Sequence, residues 1–210
     1  VSDMQDDTEV VQAIFDDLLS TIPDIHNKEI SVLGRYNVDI DRIGNTDRVF
    51  RIQRDTGVIS YIQQSGGKEL RAQFLTVHKS KGLEADIVII LNCNSGKLGF
   101  PSDMTDDIVL NLLLSEADQF ENSEERRLFY VAMTRARQLV YFVSDAFFKS
   151  KFISEIEVDL GTSPNRKCPR CKTADVVLRK SGTAKNGGKY RFYGCTNFQY
   201  GCEFTTTEWD

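Results

Sequence analysis

The chain has 210 residues, 40% of them apolar, enough for one full domain and a small module but not for two large cores. Its net charge of −5 gives no general affinity for nucleic acid, no apolar run approaches the roughly 18 residues of a membrane span, and the acidic N-terminus lacks the charged and apolar regions of a signal peptide. We therefore expect a cytoplasmic protein without a membrane partner, and the opening Val1 with its acidic lead-in suggests the C-terminal piece of a longer chain.

Residues 6–22 place Val10, Val11, Ile14, Phe15, Leu18 and Leu19 at helical spacing before Pro23, which predicts an amphipathic helix packed on a sheet. Ile30–Leu33, Gln73–Val77, Asp86–Leu91 and Leu139–Ser144 are short runs rich in β-branched residues and read as strands. The continuous apolar stretch Ile87–Leu91 suits a strand covered on both faces, as in a parallel sheet. Helices are predicted over 107–116, 124–137 and Lys151–Leu160. This order predicts an α/β domain over 1–160 with a mainly parallel sheet flanked by helices, then a linker at 161–165 and a second module over 166–210.

The charge divides along the same line. From Ser163 onward nine Lys/Arg stand against four acids, giving +5 and leaving −10 on the remainder. A basic module on an acidic body fits contact with a phosphate backbone, and it equally fits a solvated surface.

Two segments of the body carry chemistry. Thr76-Val77-His78-Lys79-Ser80-Lys81-Gly82-Leu83-Glu84 follows a predicted strand, and ligands of open parallel sheets gather beyond the carboxyl ends of strands. Thr76 and His78 can hydrogen-bond phosphate or sugar, Gly82 allows close backbone approach, and Glu84 can accept from ribose hydroxyls. By residue type alone the segment could also be an ordinary strand-to-helix loop. The second, Glu124–Arg137, puts Leu128, Val131 and Ala132 on one helical face and leaves its arginines to project elsewhere. A guanidinium beside a γ-phosphate offsets charge that develops during phosphoryl transfer.

Together these segments resemble two motifs of superfamily 1 DNA helicases of the UvrD/Rep kind. The resemblance implies that 1–160 is the second RecA-like motor domain of an ATP-dependent 3′–5′ DNA helicase. It implies that Thr76 and His78 face single-stranded DNA, Gly82 and Glu84 contact the nucleotide, and Arg135 meets the γ-phosphate as the catalytic arginine. Arg126, Arg127 and Arg137 are expected to pair with Glu124, Glu125 or neighbouring loops. Gly82–Asp86 with Gly99-Phe100-Pro101-Ser102 looks more like DNA helicase IV and its relatives than like UvrD itself, and Ile30–Asn37 resembles the strand and arginine loop that open this part of the domain. UvrD-like motors carry a large inserted domain after that strand. Only about 40 residues stand here, too few for a second core, so the insertion is expected to be missing or vestigial.

The sequence contains neither a G-x-x-x-x-G-K-[ST] phosphate loop nor an acidic metal-holding motif, so these 210 residues alone should not hydrolyse ATP with Mg²⁺. The family implies an N-terminal RecA-like domain as partner to supply both.

The basic module contains Cys168, Cys171, Cys195 and Cys202 in a C-x₂-C-x₂₃-C-x₆-C pattern, which favours a structural four-cysteine zinc site over disulfides. The fifth cysteine, Cys93, ends the apolar strand and reads as a core thiol. Gly194–Phe204 resembles the C-terminal zinc ribbon of type IA topoisomerases, in which such ribbons grip single-stranded DNA. Tyr190, Arg191 and Phe192 are the candidate nucleic-acid contacts, because aromatics alternating with cations suit a strand face that stacks bases. The rings could instead only cover the metal site. Two further alternatives are a helicase-like ATPase acting on a protein complex, such as RNA polymerase or repair proteins, and a non-enzymatic single-strand-binding adaptor.

Overall fold

The computed structural model describes residues 6–44, 49–63, 69–102, 122–145, 148–160, 166–184, 187–195, 197–198 and 201–209. The helix predicted over 107–116 and the linker at 161–165 lie outside the described residues. The chain divides into two compact units, Val1–Ser144 and Asp145–Asp210. The sequence reading sets the boundary at 161–165; the observed division falls earlier and groups the helix Lys151–Asp159 with the second unit.

The first unit is built on a six-stranded sheet. Its strands are β1 (Ile30–Gly34), β2 (Phe50–Gln53), β3 (Val58–Tyr61), β4 (Leu70–Thr76), β5 (Ala85–Ile90) and β6 (Ala136–Phe142), in the spatial order β2-β3-β4-β1-β5-β6. β1, β4, β5 and β6 run parallel, as the apolar runs predict. Ile87, Val88, Ile89 and Ile90 of β5 are fully buried, the state expected of a central parallel strand covered on both faces. Helix α1 (Thr8–Thr21) lays Val11, Phe15 and Leu18 into the same core, while Val10 stays half exposed. Its start is fixed by a buried ion pair in which Arg42 Nε donates to Asp7 Oδ2 at 2.5 Å.

The described residues among the 35 between β1 and β4 form no second core. They form a 3₁₀ turn (Asn37–Arg42) and the antiparallel hairpin β2–β3, which extends the sheet beyond β4. The hairpin is held by three rings: Phe15 of α1 lies 5.6 Å from Phe50 and 5.3 Å from Tyr61. Tyr61 also donates to Asp16 at 2.5 Å, and burial first, then this carboxylate, pushes its hydroxyl up to about 12.

Helix α2 (Ser123–Met133) is shorter than predicted. Thr134 closes it, and the chain enters β6 two residues later because Ala136 pairs with Ala85 and Ala85 N–H donates to Arg135 O at 2.9 Å. Its buried stripe is Leu128, Phe129 and Ala132; Val131, expected there, is only half buried. Phe129 packs between Phe100 and Phe142, at 4.9 and 5.7 Å.

The second unit contains α3 (Lys151–Asp159) and the antiparallel sheet β10-β9-β8-β7, made of β7 (Arg166–Lys167), β8 (Asp175–Thr183), β9 (Lys189–Cys195) and β10 (Thr205–Trp209).

The β2–β3 turn gives a direct test of the hairpin. Gly57 has φ +74°, and a Cβ there would lie 2.7 Å from the carbonyl of Phe74, whose own N–H donates to Gly57 O at 2.7 Å. Gly57→Ala should therefore lower unfolding free energy by about 2 kcal/mol or more in urea denaturation.

Candidate nucleotide and nucleic-acid sites

A connection of eight residues, 77–84, carries the chain from the carboxyl end of β4 to the amino end of β5, passing β1 between them. The motif it contains is thus split between the two edges of the sheet. Thr76 and His78 stand at the carboxyl edge; Leu83 and Glu84 stand at the amino edge, roughly 20 Å away along the strands. Two short turns fill the link, with Ser80 N–H on Thr76 O and Leu83 N–H on Ser80 O. Gly82 takes φ +83° with open space around it, so its conformation rather than crowding requires glycine.

At the carboxyl edge Thr76 is almost buried, and its hydroxyl accepts from Lys79 N–H at 3.3 Å. His78 is exposed and lines a cleft with Arg35, Lys81, Glu125 and Arg127. Partial burial first, then the charges of Arg35 and Lys81, hold the His78 imidazole below its ordinary range. Glu125 anchors α2 here. Arg35 Nη2 and Nε donate to Glu125 Oε1 at 2.7 and 3.0 Å, and Ser102 N–H donates to Oε2 at 3.1 Å. Tyr36 donates to Ser102 Oγ at 2.8 Å, which ties the residues after β1 to Ser102.

At the amino edge Arg135 follows the last turn of α2. Its Nε donates to Val131 O at 3.0 Å and its Nη1 to Leu83 O at 3.2 Å, so the guanidinium is drawn beside Gly82–Glu84. Arg137 sits next to it, half exposed, with Nε on Glu84 Oε2 at 3.3 Å and Nη1 on Glu29 Oε2 at 3.0 Å. Arg127 pairs with Glu124 on the helix surface. The structure therefore brings Gly82, Glu84 and Arg135 together at the edge opposite to the one expected for ligands, while Thr76 and His78 lie at the carboxyl edge. The Arg35–Glu125 pair was not visible in the sequence, because its partners are 90 residues apart.

In the second unit the four sulfurs of Cys168, Cys171, Cys195 and Cys202 lie within 4.8 Å of one another. Cys168–Cys202 and Cys171–Cys195 are 3.6 and 3.7 Å apart, far too long for disulfides and close to the roughly 3.8 Å edge of a tetrahedron of thiolates about 2.3 Å from a zinc ion. Cys168 and Cys171 sit on a tight turn in which Lys172 N–H donates to Cys168 O at 2.8 Å with Lys172 at φ +60°. Burial pushes the Cys195 thiol up to about 12 and raises Cys202, whereas the Thr173 hydroxyl foremost lowers Cys171 to about 6. A cation at the centre would favour thiolates at all four. Cys93 is fully buried with Sγ on Ile90 O at 3.4 Å, and burial raises its pKa, as a core thiol requires. Tyr190 and Phe192 share one face of β9; Arg191 lies on the other.

The six-stranded, mostly parallel sheet is consistent with the C-terminal RecA-like domain of a helicase, and the cysteine cluster fits a ribbon. Residues 46–145 match the UvrD-like helicase C-terminal domain. DNA helicase IV of Escherichia coli (strain K12) is 40% identical over 99 residues, 47% of this chain and 14% of that protein. The ATP-dependent DNA helicase PcrA of Bacillus subtilis (strain 168) is 29% identical over 163 residues, 72% of this chain and 19% of that protein. The ATP-dependent DNA helicase Rep of Buchnera aphidicola subsp. Schizaphis graminum (strain Sg) is 42% identical over 72 residues, 34% of this chain and 9% of that protein. The chain thus spans less than a fifth of the length of these relatives.

Removing the anchor of α2 should be costly. Glu125→Ala leaves Arg35, with 18% of its side chain exposed, without this carboxylate and takes away the acceptor of Ser102 N–H. We expect a loss of about 2–3 kcal/mol in urea denaturation, well above that of truncating the exposed Glu124.

Proposed function

We propose that the chain is the second motor half of an ATP-dependent 3′–5′ DNA helicase or translocase. It acts with a RecA-like domain that supplies the phosphate loop and holds Mg²⁺, since the 210 residues contain no such loop. The observation that carries the reading is the seating of Arg135 against Leu83 O, beside Gly82 and Glu84, at an exposed sheet edge. Arg135 offsets charge on the γ-phosphate during transfer, and Glu84 accepts hydrogen bonds from the ribose. His78 and its cationic neighbours at the far edge contact the phosphates of single-stranded DNA, with Thr76 shaping the turn that presents them.

In the second unit Cys168, Cys171, Cys195 and Cys202 hold a structural zinc ion. It supplies the cross-link that a sheet with so small an apolar core needs. The ribbon binds single-stranded DNA through its basic charge and exposed rings, among them Trp209 at 59% exposure.

The test of the motor reading is DNA-stimulated ATP hydrolysis by the protein at its native length. Arg135→Ala should lower turnover about 10³-fold or more with little change in nucleotide affinity; an unaltered rate would remove Arg135 from the reaction. For the ribbon, elemental analysis should find one zinc per chain. Cys195→Ser should abolish it and unfold the second unit, seen as lost amide dispersion for residues of β8–β10.

A further inference from the structure

We infer that single-stranded nucleic acid lies on the face of the ribbon sheet that points away from the cysteine cluster, with bases stacked on Phe192, Tyr190 and Trp209. This deepens the single-strand reading of the ribbon and rests on it. Alternation along β9 decides the face. Cys195 is a metal-site residue, so the side chains two and four residues before it, Tyr193 and Arg191, point to the same side, and Tyr193 packs against the cysteine cluster. Phe192 and Tyr190 point to the other side.

The neighbouring strands complete that side. Trp209 of β10 stands opposite Tyr190 in the ladder, and the two rings are 5.6 Å apart at 47°. On β8 the position opposite Tyr190 is Gly182, where a Cβ would lie 3.0 Å from the Tyr190 hydroxyl, so the missing side chain leaves room for the ring. Opposite Phe192 is Lys180, which is exposed and makes no ion pair among the described residues. A register shift between Leu178 and Lys180 sets this Lys on the ring side.

The arrangement fits the ligand chemically. Residues two apart on a strand are about 7 Å apart, and adjacent strands about 4.8 Å, so three rings on two strands can take two or three successive bases. Lys180 at the margin supplies charge for a phosphate between them. Trp209, near the end of the edge strand, is also the only tryptophan in the chain, so its fluorescence reports the site alone.

The test is a titration of the full chain, zinc-loaded, with oligothymidylate of about a dozen nucleotides, followed by Trp209 emission and by anisotropy of a labelled oligomer. Saturable quenching is expected. Phe192→Ala and Trp209→Ala should each weaken binding about tenfold. Lys180→Ala should lower the slope of log affinity against log salt by about one, while Arg191→Ala, the same loss of charge on the opposite face, should leave affinity within about twofold. Zinc content measured on every variant separates lost contacts from a lost fold, and quenching in the unaltered chain depends on no variant. Binding without quenching, insensitive to Phe192 and Trp209 but weakened by Arg191→Ala, would overturn the face assignment and leave the single-strand reading standing. Absence of binding at low salt would overturn both.

Discussion

The first unit is organised by a length constraint. Parallel strands usually need a crossover of a dozen residues or more, long enough for a helix. Between β4 and β5 there are eight, and they must pass β1 and descend the full height of the sheet. Nothing longer than two hydrogen-bonded turns fits. The segment is therefore held along the sheet, with one end fixed at the carboxyl edge and the other at the amino edge. One continuous motif thereby serves two places: the His78 end meets the Arg35 cleft, and the Glu84 end meets Arg135 and Arg137.

Helix α2 makes the same journey in the same direction, from the carboxyl edge to the amino edge. Its first turn carries Glu125, clamped by Arg35 and Ser102 at the carboxyl edge, and its end delivers Arg135 to the amino edge. The helix rises about 1.5 Å per residue, so its eleven residues span roughly the same height as the strands. In the proposed motor this gives a rigid path between the DNA-facing and nucleotide-facing edges. Leu128, Phe129 and Ala132 bind the rod to the sheet between the two ends.

Much of this was legible in the residues, and the gaps have physical causes. The run Ile87–Leu91 announced a buried parallel strand because local hydrophobicity and burial coincide there. The cysteine spacing announced the ribbon site because tetrahedral thiolate geometry tolerates few spacings. The hairpin β2–β3 was missed: its strands are four residues each, and what fixes them is contact with Phe15, remote in sequence. The end of α2 was placed four residues late, since helical periodicity cannot register that Ala136 is needed as the partner of Ala85. The separation of Thr76 and His78 from Gly82 and Glu84 along the strands was not legible in the residues, because strand order decides where β5 begins. For β9, grouping Arg191 with Tyr190 and Phe192 passed over the period of two that the sequence itself displays.

The proposed motor assigns one motif to two ligands, at opposite edges of the sheet. It is tested most directly by amide hydrogen exchange on the protein at its native length, with a non-hydrolysable ATP analogue and, separately, with an oligothymidylate. The nucleotide should slow exchange at residues 82–85 and 133–137, and DNA should slow it at 76–80 and at the start of α2. Protection of the same residues by both ligands, or of 76–80 by nucleotide and 133–137 by DNA, would contradict it.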